Sequence, residues 1–240
     1  MTLPGIKNPV WIGGAIGEEL IEATGGTITE DGDFKVHTFN SSGTFEIISG
    51  VGTFDILVVG AGGGGGGADT GSGSKGGGGA GGAGGNHQEN INSAVRTYVV
   101  TIGTGGAIGG SGAFQGGDPP FHGGTGGDST FDGSDTAPGG DGGHRKDHGN
   151  QGFGSVGVTD TGGDGGLAQG GAGQDGFANS ISGSSLIYAG GGGAGTTGGG
   201  GGASGSCTAD RGCGGKGEST LGGNGTVGTD GVIVVRYKFQ

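Results

Sequence analysis

Proline, cysteine, tryptophan and basic residues are all scarce in this sequence, and no apolar run is long enough to cross a bilayer as a helix. Only 5 Pro occur in 240 residues, which excludes a collagen-type triple helix, because that structure needs proline-rich triplets without interruption. With 2 Cys no dense disulfide framework can form, and no second cysteine pair or nearby histidine pair completes a zinc site. Hydrophobic residues make up 28% and aromatics 6%, so a large oily core is excluded. Lys and Arg number 10 against 22 Asp and Glu, giving a net charge of -12 that repels nucleic acids and anionic membrane surfaces as direct partners. The opening MTLPGIKNPVWIGG lacks the basic region and apolar run of a signal peptide, so export by the ordinary secretory route is not expected.

What the chain has instead is glycine, 77 residues of it. GGTGGD at Gly123 recurs in kind as GGAGGAGGN from Gly78, GGDGGH from Gly139 and GGDGGL from Gly162. Glycine loses more backbone freedom on folding than any other residue and has no side chain to bury, so something must offset that cost. Flexible linkers share this composition, but linkers seldom carry apolar punctuation such as Ile102, Phe114, Phe121, Phe131, Phe153, Phe177 and SLIYAG from Ser184. A three-residue period matches a polyproline II helix, with three residues per turn and no internal hydrogen bonds. With two glycines in every three positions, neighbouring helices can approach until their amides and carbonyls pair. The reading is a bundle of polyglycine II helices, with tracts at Gly76, Gly105, Gly123, Gly139, Gly162, Gly190 and Gly198.

Strand signals lie at both ends of the glycine-rich region. Phe34 to Phe39 alternates apolar and polar residues, Asn40-Ser41-Ser42-Gly43 is turn-like, and Thr44 to Ile48 resumes the alternation, which predicts a β-hairpin. Thr53 to Val59 reads as a central strand, followed by Arg96–Ile102, the short Leu186–Tyr188 and Gly231–Phe239. The predicted fold is mainly β with irregular structure: a small antiparallel sheet or sandwich base carrying the polyglycine II bundle, its helices joined by loops. Residues 1–30, with Trp11, Ile12, Ile16, Leu20 and Ile21, form a candidate attachment segment, for which packing on its own domain is the favoured competing role, and residues 31–240 the glycine-rich domain with strands at about 34–59, 96–102, 185–189 and 231–239.

Loops between the tracts hold most of the bulky polar and aromatic side chains, and varied loops on a rigid scaffold are a general design for recognition. The candidate contact residues are Phe114, Asp118, Phe121, His122, Phe131, Asp135, His144, Arg145, Lys146, His148 and Phe153, in segments 113–122, 128–138 and 144–160. Packing beneath the bundle is the competing role for several of the phenylalanines, Phe131 above all. Catalysis, cofactors and metals find no support. LVVGAGGGGGGA follows a strand, but the residues after it are nearly all Gly, Ser and Ala, so no amphipathic helix offers its N-terminus to a phosphate. His144 and His148 sit in a glycine-flanked loop without a third ligand. Asp118, Asp128, Asp141 and Asp164 lack EF-hand spacing and read as a solubilising face. The spacing of Cys207 and Cys213 fits a small disulfide loop and also fits two free thiols; the bond is expected for an extracellular particle.

The succession FKVHTFNSSGTFEI, FDILVVGAGGGGGG, RTYVVTIGTGG, SLIYAGGGGAG and GVIVVRYKF, from about Asp33 to Gln240, resembles the glycine-rich domain of bacteriophage tail and tail-fibre proteins. The glycine motifs and loops are similar to those of the tail-fibre tip adhesins of T-even-like phages, in which a polyglycine II bundle displays loops that bind the bacterial surface. The resemblance implies a non-enzymatic virion tail component, a tail fibre or minor tail protein, whose partners are a bacterial surface receptor, glycan or outer-membrane protein, and other tail proteins. It implies no membrane insertion and leaves a homotrimer open. Unlike those adhesins, this chain has a substantial β portion. Two other functions compete: ice binding, as in the glycine-rich springtail antifreeze proteins, and a purely structural tail-tip role.

Overall fold

The computed structural model describes residues 20–67, 82–110, 122–144, 159–166, 170–195, 202–218 and 225–240. Among them there is no α-helix, and every strand pairing is antiparallel. The first five-stranded sheet contains β1 (Glu22–Thr24), β4 (Gly43–Ser49), β7 (Thr97–Thr101), β8 (Ser129–Phe131) and β9 (Asp135–Ala137), in the order β1-β4-β7-β8-β9. The second contains β2 (Thr27–Asp31), β3 (Phe34–Phe39), β5 (Thr53–Val59), β6 (Gly85–Asn92) and β12 (Val232–Lys238), in the order β2-β3-β12-β5-β6. A hairpin of β10 (Phe177–Asn179) and β11 (Leu186–Tyr188) forms a separate two-stranded sheet.

The two sheets share one core. Phe45, Ile47, Tyr98, Val100 and Phe131 from the first meet Phe39, Phe54, Ile56, Val58, Ile233, Val235 and Tyr237 from the second. A second cluster covers the other face of the second sheet, where Val36, Leu57, Val59, Val232 and Val234 pack with Ile181, Tyr188 and Phe177. The central strands β5 and β12 are therefore buried on both faces, which is why they read as nearly continuous apolar runs, whereas β4 and β7 face a core on one side only and alternate. Burying each large apolar side chain contributes about 1.5–3 kcal/mol.

The predicted hairpin is corrected. β3 and β4 form at their expected places but do not pair with each other; β3 bonds to β2 and β12, β4 to β1 and β7. Asn40–Ser42 carries the chain across the sandwich from one sheet to the other, so Phe39 and Phe45 meet in the shared core. Gly25 makes a matching crossing between β1 and β2 with φ 114, and a Cβ there would lie 2.1 Å from the Thr44 carbonyl oxygen. Buried His37 ties these crossings together, donating from Nδ1 to the Gly25 carbonyl at 2.7 Å and accepting at Nε2 from the Tyr237 hydroxyl at 3.0 Å. Residues Glu22–Asp31, within the segment expected to serve attachment, belong to the sheets as β1 and β2.

Beyond the strands, glycine tracts pair with one another outside any sheet. Tract 60–67 continues β5 and is a hub. Ala61 and Gly64 donate to Gly127 and Gly124; Gly62 and Gly65 donate to Thr229 and Thr226. Its carbonyls at Ala61 and Gly64 accept from Gly140 and Gly143, those at Gly62 and Gly65 from Gly106 and Gly109, and those at Gly63 and Gly66 from Gly215 and Glu218. Each neighbour returns every third residue. A second hub, 189–195, repeats the pattern: Gly191 and Ala194 donate to Gln174 and Gly171, while Gly163 and Gly166, Gly205 and Gly202, and Gly214 and Gly217 donate to it in pairs three apart. The tract around Gly214–Glu218 bonds to both hubs and makes one assembly of them. The glycines are required by proximity: a Cβ on Gly64 would lie 1.9 Å from the Ala107 carbonyl oxygen, and one on Gly123 1.7 Å from that of Gly64.

Candidate functional site

The registers give the tract assembly two distinct ends. At one end the tracts run into strands: Gly60 follows β5, Ile102 follows β7, Asp128 precedes β8, Pro138 follows β9, Ala189 follows β11 and Gly231 precedes β12. Carboxylates finish the pairing there, where a tract partner has run out. Asp230 accepts from the Gly105 amide at 2.8 Å, Asp128 from Gly139 at 3.0 Å and Asp175 from Ser206 at 2.6 Å. The backbone and side-chain bonds from Ser206 hold the Asp175 carboxyl below its ordinary pKa. Asp128, read from the sequence as part of a solubilising face, thus has a structural partner as well.

Toward the other end, the constant registers bring the last described residues of the tracts level. Gly66 accepts from Glu218, Gly65 from Gly109, Gly64 from Gly143, and Gly123 donates to Gly143. Gly193 accepts from Gly217, Gly171 from Ala194 and Ala194 from Gly202. Gly67, Gly110, His122, His144, Gly166, Gly170, Gly195, Gly202, Glu218 and Gly225 are therefore gathered at the end remote from the strands, whereas Gly82 and Thr159, which also flank intervening segments, lie beside the start of β6.

Two predicted contact residues meet there. The rings of His122 and His144 lie edge to face with centroids 4.7 Å apart, both partly exposed. His122 ends segment 111–121 and His144 begins segment 145–158, so two of the three predicted contact segments start from touching residues. Phe114, Asp118, Phe121, Arg145, Lys146, His148 and Phe153 themselves lie outside the described residues.

The third segment, 128–138, is corrected. It folds as the β8–β9 hairpin of the first sheet, at the strand end. Phe131 is 2% exposed and stacks on Tyr98 at 5.3 Å, so it is a core residue and is withdrawn as a contact. Asp135 is held by the side-chain amide of Gln88 on β6. The sequence carried the signal: Asp132-Gly133 is a hairpin dipeptide, and both residues take positive φ, 52 and 73. Arg96 fixes the turn through a 2.7 Å ion pair with Asp132 while covering the Tyr98 ring.

Sequence reasoning missed a polar recess on the second sheet, of about 500 Å3, lined by Asp55, His87, Glu89, Asn179, Ser180 and Arg236. A bulge in β6 opposite Asp55 shapes its rim, with Asn90 at φ 56 donating its amide to the Asp55 carboxylate at 2.8 Å. Arg236 is fixed by Asp31 at 2.8 Å and lies over the Phe34 ring. These residues share no motif, and only strand pairing brings them together. Among the described residues no group of three or more His, Cys, Asp or Glu is placed to hold a metal ion.

Cys207 and Cys213 are joined by a disulfide. The loop they close lies along β11, where Ala209 donates to Ile187, Ala189 donates to Arg211, and Ile187 donates to the Thr208 hydroxyl at 2.8 Å. The bridge thereby fastens the hairpin to the junction of strands and tracts.

Among protein families, the one described as a glycine-rich domain matches residues 38–238. No curated protein matches the chain.

Proposed function

The chain belongs to the glycine-rich domain family, and from that premise we propose that it is a bacteriophage tail component, a tail-fibre or minor tail protein that binds a host receptor through loops displayed on a polyglycine II bundle. The observation that carries this reading is the hub at 60–67, bonded to five other tracts at a three-residue repeat. A β-strand offers its hydrogen-bonding groups in two opposite directions and serves two neighbours. A ribbon that turns once in three residues offers them all round, which is the polyglycine II geometry. At about 3.1 Å per residue, the eight-residue hub carries its tip roughly 25 Å beyond β5.

The gathering of tract ends supports a display role. Recognition through a segment whose ends are not fixed carries an ordering cost on binding, and a stiff array that fixes those ends reduces it. Mixed polar, charged and aromatic residues in segments 111–121 and 145–158 suit a bacterial surface glycan or outer-membrane protein. In this reading the protein is non-enzymatic, needs no cofactor, resides in the virion and joins other tail proteins. Purified protein labelled with a fluorophore should bind susceptible host cells. Replacing segments 111–121 and 145–158 by Gly/Ser linkers of equal length should abolish that binding with the circular dichroism spectrum unchanged. Retention of binding and of host range by the replaced protein would favour a purely structural tail-tip role.

One observation favours the ice-binding alternative. Thr97, Val99 and Thr101 form an exposed row on β7, flanked by Thr44 on β4 and by Thr130 and Thr136 on β8 and β9. Glu46, exposed opposite Thr97, interrupts this face with charge, which counts against ice as its partner. Thermal hysteresis of the purified protein is the discriminating measurement.

A further inference from the structure

The strand end remote from the tracts carries a cluster of exposed apolar side chains. Val51 is 71% exposed, Val95 64%, Ile48 48% and Leu20 37%. The registers place them together. Glu22 lies opposite Ser49, which brings Leu20 level with Val51, and Gly52 runs against the Ile21 side chain. Ile47 donates to the Arg96 carbonyl, which sets Val95 beside Ile48, and Ser93 and Gly52 bond to each other at 2.9 and 3.0 Å. Four large apolar side chains in one place on a chain with 28% hydrophobic residues need a cover.

We propose that this patch is the seat of the chain's own N-terminal segment, with Val10, Trp11, Ile12 and Ile16 as its apolar anchors. Leu20 is both a member of the patch and the residue at which the segment joins the fold. Ile16 stands four positions before Leu20, a reach of up to about 14 Å, while the patch crosses from β1 to β7, two strand spacings or about 10 Å. Ile16 therefore cannot lie far from the patch, and Val10, Trp11 and Ile12, eight to ten positions before Leu20, can reach it. A tether this short gives an effective concentration in the millimolar range, so even weak apolar contacts close. The segment is richer in apolar residues than the tracts that follow it. This proposal does not rest on the receptor reading and fails independently of it.

Trp11 is the single tryptophan of the chain and reports on the seat directly. In the full-length protein its emission is expected to be blue-shifted relative to the urea-unfolded chain, with acrylamide quenching reduced at least threefold. The double substitution V51K/V95K should return both readouts to the unfolded values while the far-UV circular dichroism stays native, since both positions are exposed and carry no core contact. Deletion of residues 1–19 should raise binding of an apolar dye. Quenching of Trp11 in the native protein as strong as in urea would overturn the proposal. So would protection unaltered by V51K/V95K, or protection that disappears on dilution, which would assign the segment to a second copy.

Discussion

The sandwich and the tract assembly satisfy the same backbone groups by opposite means. In the sandwich, large side chains leave the water and the strands bond to neighbours on two sides; in the tracts, most positions lack a side chain and one ribbon bonds to five neighbours. The sandwich is held by apolar area at roughly 25 cal/mol per Å2, whereas the tracts have little apolar area to bury. Each tract bond contributes about 1 kcal/mol net, and only their number and cooperation offset glycine's conformational entropy. A side chain is thus an asset in one region and an obstruction in the other.

The largest expected effect tests the sandwich half of this contrast. Phe45→Ala removes a fully buried ring in contact with His37, Phe54, Tyr98, Phe131 and Tyr237, and should cost about 3–5 kcal/mol in urea unfolding. Gly64→Ala adds only a methyl group, yet it should cost about 3 kcal/mol, from overpacking together with weakened bonds to Gly124 and Gly143. A wild-type stability for this variant would break the contrast outright. Reducing the Cys207–Cys213 bridge should lower stability by about 2 kcal/mol, the entropy of opening a short loop, and should do so more for the β10–β11 hairpin than for the hub, as residue-resolved amide exchange would reveal.

A smaller effect is pH dependence. Burial, opposed by the hydrogen bond to Gly25 and aided by Lys35, lowers the His37 pKa from 6.5. As pH falls below 6.5 the unfolded chain takes up the proton first, so the stability due to neutral His37 is complete above pH 6.5 and is lost as pH falls through the depressed value. Urea titrations between pH 7 and 4 should show this loss in the wild type and a shallower slope in His37→Gln. The smallest effect sharpens the contrast by exception: a Cβ on Gly43, in the sandwich, meets nothing within 4 Å, so Gly43→Ala should change stability by less than about 1 kcal/mol and in the stabilising direction.

Legibility followed the same division. Strands with an apolar period of two or a continuous run, β3, β4, β5, β7 and β12, stand where the sequence places them. β6 does not read as a strand, because Gly85-Asn86-His87-Gln88 has no apolar alternation; it forms because β5 presents an edge to it. The β3–β4 pairing was misjudged because a three-residue connection serves a hairpin and a crossing between sheets equally well, and the choice is made by a core that draws Phe39 and Phe45 together from opposite sheets. At the candidate site, the glycine doublets marked the tracts that pair through their backbones. The contact between His122 and His144, 22 residues apart, was invisible, since nothing local encodes the register between two tracts. The recess around Asp55, Glu89 and Arg236 was equally hidden, being assembled from three strands and a hairpin.

By itself the sequence determined where strands can form and which stretches lack the side chains to do anything but pair through their backbones, because both are properties of local composition and period. Which strand neighbours which, which tract becomes the hub, and which ends come level were decided only by the tertiary structure. Backbone amides and carbonyls are chemically identical along the chain, and their choice of partner is set by what surrounds them in space.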